Sequence, residues 1–133
     1  MNSRCTIEVA LHLTGVNVNP EEITNFLGLS PTRIWRIGDV IGRSSLKRKQ
    51  DGWVFGLPKQ QTIDLENMLL TLMDSLAPYQ DQIAAIARQL GLEIELSCAI
   101  YMENQTPVGH FGISTLQRMV ALGADLDIDL IGC

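Results

Sequence analysis

Residues 5–13 read Cys5-Thr6-Ile7-Glu8-Val9-Ala10-Leu11-His12-Leu13, and their strict alternation decides the fold class. In an extended strand, side chains two residues apart lie on one side. Ile7, Val9, Leu11 and Leu13 therefore point one way, and Thr6, Glu8, Ala10 and His12 the other. Such a strand packs one face on a core and leaves the other to water, as antiparallel sheets do. The pattern returns near the C-terminus. From Glu93 to Glu103, Ile94, Leu96, Cys98, Ile100 and Met102 share the inward side. From Asp125 to Ile131, Leu126, Ile128 and Leu130 are predicted inward, with Asp125, Asp127 and Asp129 outward.

Between these strands the period changes to that of helices. Asn19-Pro20-Glu21-Glu22 combines a capping residue, a first-turn proline and two acids at the positive end of the dipole, and Gly28 supplies a stop. Leu65, Met68, Leu69, Leu72, Met73 and Leu76 form a core-facing helical stripe. Pro78 interrupts it, and a second segment carries Tyr79, Ile83, Ile86, Ala87 and Leu90 up to Gly91. Ser114-Thr115-Leu116-Gln117 reads as a capping box for a last helix ending at Gly123. Arg33 to Ile41 and Gly52 to Leu57 read as two strands of a long hairpin with a mobile basic tip, and Val108 to Gly112 as a short strand. The expectation is a single α+β domain over residues 1–133: a mainly antiparallel sheet with helices on one face, ferredoxin-like with extra elements.

Charge is distributed unevenly. Residues 33–49 hold six of the ten basic side chains (Arg33, Arg36, Arg43, Lys47, Arg48, Lys49) and one acid, Asp39, for a local charge of +5. The rest of the chain, with four basic and fourteen acidic residues, carries −10. Such a field steers what approaches, yet a total of −5 disfavours wrapping of nucleic acid, which calls for a basic domain. Charged residues amount to 19%, below the usual quarter, and 46% are hydrophobic. The apolar surplus points to a subunit interface, hence a homodimer. Three widely spaced cysteines (Cys5, Cys98, Cys133) form no Cys-x-x-Cys pair, and Cys5 and Cys98, in strand-like runs, read as buried free thiols. No apolar run is long enough for a membrane span and no secretory leader is recognisable, so a cytoplasmic protein is expected.

The run Leu27-Gly-Leu-Ser-Pro-Thr-Arg-x-Trp-Arg-x-Gly-Asp39 resembles a bacterial family known as domain of unknown function 4279. Asn19-Pro20-Glu21-Glu22-Ile23, Gly52-Trp53, Asp64-Leu65-Glu66 and the stretch from Ala121 to Asp129 match in order, so the resemblance spans nearly the whole chain. It departs at the end, where such proteins tend to carry an aromatic and this chain has Leu130. The resemblance implies a small bacterial α+β protein of one domain. It transfers no activity, cofactor or catalytic residue.

Two readings of Trp35, Arg36 and Trp53 stand at this point. In one, the indoles flank a site in which Arg33 or Arg36 forks onto a carboxylate or phosphate. In the other, both indoles pack in the core and the arginines stack on them or bridge to Asp39. The basic tip, from Arg43 to Lys49 with Lys47 and Arg48, reads either as a solvated loop or as a patch for an acidic protein; four or five charges hold nucleic acid only weakly. Asp125, Asp127 and Asp129 lie about 7 Å apart successively on one strand face, too far for one ion without a bend. No metal, cofactor or catalytic residue is assigned, since His12 and His110 belong to no hydrolase, zinc, P-loop or dinucleotide motif. The functional expectation is a non-enzymatic cytoplasmic protein-interaction module, immunity- or antitoxin-like in character. The alternatives are a small-ligand or anion-binding regulatory domain using Trp35, Arg36 and Trp53, and an enzyme of undetected type.

Overall fold

A computed structural model of the protein describes residues 5–132; Cys133 lies outside the described residues. The elements run β1 (Cys5–Gly15), α1 (Pro20–Leu27), β2 (Arg33–Trp35), β3 (Asp51–Gly56), β4 (Gln60–Gln61), α2 (Leu65–Leu76), α3 (Gln80–Leu90), β5 (Glu93–Met102), α4 (Ile113–Leu122) and β6 (Asp125–Gly132). The class is α+β, as the alternating strands and helical stripes require.

One sheet carries the order β2-β3-β1-β5-β6, and β4 continues the line of β3 along β1 after the break at Pro58. Every pairing is antiparallel except β5 with β6, which is parallel. The exception follows from connectivity, because α4 crosses between them, and a helical crossover returns the chain in the same direction. The sheet is mainly antiparallel, with one parallel pair at its edge.

All four α-helices cover the same face. Ile7, Val9, Leu11 and Leu13 of β1, Trp53 of β3, and Leu96, Cys98 and Ile100 of β5 form one core with Ile23, Leu69, Leu72, Ile83, Ile86 and Met119 from the helices. Trp53 is fully buried there, and its indole N–H donates to Thr24 Oγ1 at 3.0 Å. On the opposite face the described residues form a small buried cluster of Ala10, Trp35 and Val54, all three from strands.

Four local expectations change. The strand predicted over 33–41 is limited to Arg33–Trp35, because Gly38 turns with φ +91° and the Asp39 carboxylate accepts the Arg36 N–H at 2.8 Å. Instead of a short strand at Val108 to Gly112, there is a single bridge between Asp64 and Val108. The capping box at Ser114 does not form: α4 begins at Ile113 and its cap is Gly112, two residues earlier. Its first turn is capped from α2 by Glu66, whose Oε2 accepts the Gly112 N–H at 2.6 Å and the Thr115 hydroxyl at 3.0 Å. These bonds hold the Glu66 carboxyl below its usual range, with burial opposing. Finally, Ile128 and Leu130 share the helix side of β6 yet are 42% and 60% exposed. The core covers β6 at Leu126 and leaves Ile128 and Leu130 beyond it.

Candidate functional site

The helix-free face carries a concave surface built on the sheet. Register places its side chains in rows across the strands. One row runs Arg33, Val54, His12, Glu95, Asp125; the next runs Gly56, Ala10, Ser97, Asp127. The face is therefore cationic at the β2 end and anionic at the β6 end. Small residues at Ala10, Gly56 and Ala99 leave a trough of about 520 Å³, walled by Glu8, His12, Arg33 and Ser97. That volume falls within the range of small-ligand pockets, about 300–1,000 Å³.

Trp35 lies at the cationic end. Its indole rests on Gly52, where a Cβ would collide with the ring. The Arg48 guanidinium stacks over the ring at 3.9 Å from its centroid, Arg33 lies at 5.1 Å, and His12 meets it edge-on at 5.7 Å. Burial and the two guanidiniums push the His12 pKa down to about 4, with Asp127 opposing. Imidazole at this position is neutral near pH 7, so it offers a hydrogen bond rather than a charge. At the other end burial, then Asp127, Asp125 and Glu93, raises the Glu95 pKa.

The loop 36–50 closes the cationic end as an ordered hairpin. Ile41 N–H donates to Leu46 O at 2.8 Å, Arg48 N–H to Asp39 O at 2.8 Å, and Gly38 N–H to Arg48 O at 2.9 Å. Asp51, buried at the start of β3, anchors it: one carboxylate oxygen accepts the Ile37 N–H at 3.0 Å and the other the Val18 N–H at 2.8 Å. A basic tip held by this ladder is a presented surface. Arg43, Lys47 and Lys49 are exposed on it.

The sequence-predicted residues thus separate into three places. Arg33, Trp35 and Arg48 come together on the helix-free face, with Lys47, Arg43 and Lys49 on the adjoining loop. Trp53 is on the opposite face in the core, so the two indoles do not flank one site. Arg36 turns away and donates to Asn19 Oδ1 at 2.9 Å, buttressing the cap of α1, while Asp39 is a turn residue. Sequence reasoning does not single out Ala10, Ser97, Ala99, Gly56 or Asp51 as site residues. The outward parity of β1 and β5 is the signal for the first three, but no local pattern marks Asp51. Among the described residues, no group of three or more His, Cys, Asp or Glu side chains converges to hold a metal ion.

A family model described as domain of unknown function (DUF4279) matches residues 3–132. The chain belongs to the DUF4279 family. No curated protein and no solved structure matches it. In this DUF4279 domain the signature residues from Leu27 to Asp39, with Gly52 and Trp53, serve two ends. Leu27 to Thr32 make the connection from α1 into β2, and Arg33 and Trp35, with Gly52 beneath the indole, build the cationic end of the open face.

Proposed function

We propose that the protein is a non-enzymatic binding module that takes an acidic protein surface on the 36–50 loop and the adjoining helix-free face. One observation carries this reading. Among the described residues the only ion pair joins Arg118 to Asp74, so no carboxylate neutralises Arg33, Arg43, Lys47 or Lys49 at ion-pair distance. An ordered loop bearing uncompensated cations accelerates encounter with an anionic partner and fixes its register.

The test is direct. A partner captured from native lysate is purified, and its affinity is measured for the protein and for the R43E/K47E/K49E variant. The expected loss is about tenfold or more, shrinking as salt rises. Equal affinities would remove the loop from the interface. The immunity- or antitoxin-like role, a bacterial cytoplasmic location and the ferredoxin-like label are narrower parts of the same proposal. They rest respectively on small size with a localised charge patch, on the buried unpaired thiols of Cys5 and Cys98, and on the chain order β-α-β-β-α-β within the spatial order β5-β1-β3-β2.

A second reading has one observation in its favour, the trough itself. Arg33 at its wall and neutral His12 beside it suit a small molecule carrying a carboxylate or phosphate. A thermal-shift screen of anionic metabolites tests it: a stabilising compound should lose its effect in Arg33→Ala. An effect that survives that substitution would place the ligand elsewhere.

A further inference from the structure

Among the described residues neither end strand of the sheet pairs on its outer side, and the two edges are complementary to each other. Single-chain proteins commonly blunt such edges with charged side chains, proline, a bulge or a very short strand. β6 relies on charge alone: eight residues pair with β5 in unbroken register from Asp125 to Gly132. Its outer side carries Asp125, Asp127 and Asp129, and its helix side carries the exposed Ile128 and Leu130. β2, at the far end, shows the opposite charge on the same plan, with Arg33 on the outer side and Ile34, 44% exposed, on the helix side.

Strand direction decides how two copies would meet. β2 is antiparallel to β3 and β3 to β1, so β2 runs with β1. β5 is antiparallel to β1 and β6 parallel to β5, so β6 runs against β1. A second copy laid beside the first in the same orientation therefore brings its β2 antiparallel to β6. Its helices stay on the same side, its Arg33 faces the aspartates, and its Ile34 faces Ile128 and Leu130. The other way to use this edge, β6 against β6 about a two-fold axis, sets aspartates opposite aspartates, which cross-strand pairing penalises.

We infer that copies of this chain associate head to tail, edge β2 of one on edge β6 of the next, extending one sheet. The junction is short because β2 spans only Arg33–Trp35, so the association is weak and sensitive to concentration and salt. A head-to-tail pair still has one free edge of each kind, one on each copy, so growth continues to a chain or a closed ring instead of stopping at the expected homodimer.

Sedimentation velocity on the full chain tests this, at rising concentration in ~50 mM and ~500 mM salt. The weight-average size should grow with concentration and shrink with salt. Ile34→Asp, which blocks the basic edge, and Asp127→Lys/Asp129→Lys, which blocks the acidic edge, should each sediment as monomers with wild-type circular dichroism. Mixed in equal amounts, they should form a 1:1 complex and nothing larger, because only one productive junction remains. A wild-type monomer at every concentration would overturn the inference. So would an assembly that both variants preserve, or a dimer that Asp127→Asn/Asp129→Asn tightens by removing the like charges, which would mark two-fold pairing of β6.

Discussion

Gly52→Ala is the substitution that most directly tests how the open face is built. The Trp35 ring lies against Gly52 so closely that an added Cβ would enter the space of Cε2, Cζ2 and Cδ2. Position 52 is buried in a strand with no positive φ, so alanine itself fits the backbone and would gain a little from reduced unfolded-state freedom, about 0.5–1 kcal/mol. The indole, only 8% exposed, must then leave its seat and lose its contacts with Arg48, Val54 and His12. Removing a buried tryptophan outright costs roughly 3–5 kcal/mol in a closed core. On a face roofed by arginines the displacement should cost about 2–3 kcal/mol. Trp35→Ala should cost about the same, since it forfeits the same contacts. The double substitution should then cost about 2–3 kcal/mol and not the sum, because without the ring the methyl group added at position 52 collides with nothing. Urea unfolding followed by far-ultraviolet circular dichroism measures all four proteins. Additive losses, or a Gly52→Ala protein within ~0.5 kcal/mol of wild type, would refute the stacking geometry.

Three further outcomes follow from other contacts. His12 has its pKa lowered from 6.5 to about 4, so below 6.5 the unfolded chain binds the proton more readily; the stability it provides is complete above 6.5 and is lost as pH falls toward 4. The ceiling is about 3 kcal/mol, cut to about 1–2 by water at the trough wall; His12→Gln should flatten that part of the pH–stability curve, and an unchanged curve would contradict the burial. Asp51→Asn weakens acceptance of the Val18 and Ile37 amides, with an expected cost of about 1–3 kcal/mol and faster hydrogen exchange across residues 36–50; unchanged exchange there would show that the loop does not depend on this anchor. Glu66→Ala removes the acceptor of the Gly112 amide and Thr115 hydroxyl, so amide exchange in the first turn of α4 should quicken while that of α2 stays as it was, measured by mass spectrometry.

Much of the fold is set by properties local in sequence. Two-residue alternation sorts the side chains of β1 and β5 to their faces, and the spacing of Leu65 to Leu76 puts one stripe of α2 in the core. Gly28, Gly91 and Gly123 end helices because each adopts φ between 67° and 74°, where a side chain is strained. These features need no knowledge of neighbours. The sequence also located the uncompensated basic stretch, since charge is counted along the chain.

What only the tertiary structure decided is whatever depends on partners far apart in sequence. Register pairs Trp35 with Gly52 and sets Trp53 one residue further on, and because side chains alternate, that single step sends the two indoles to opposite faces. The distance between Glu66 and Gly112, or between Asp51 and Val18, is fixed by packing, so their bonds leave no trace in local composition, and Ser114 looks like the cap that Glu66 provides. The inward parity of Ile128 and Leu130 was legible, but their exposure was not: a strand's periodicity says which face a side chain takes, whereas only the reach of the helices says whether that face is covered.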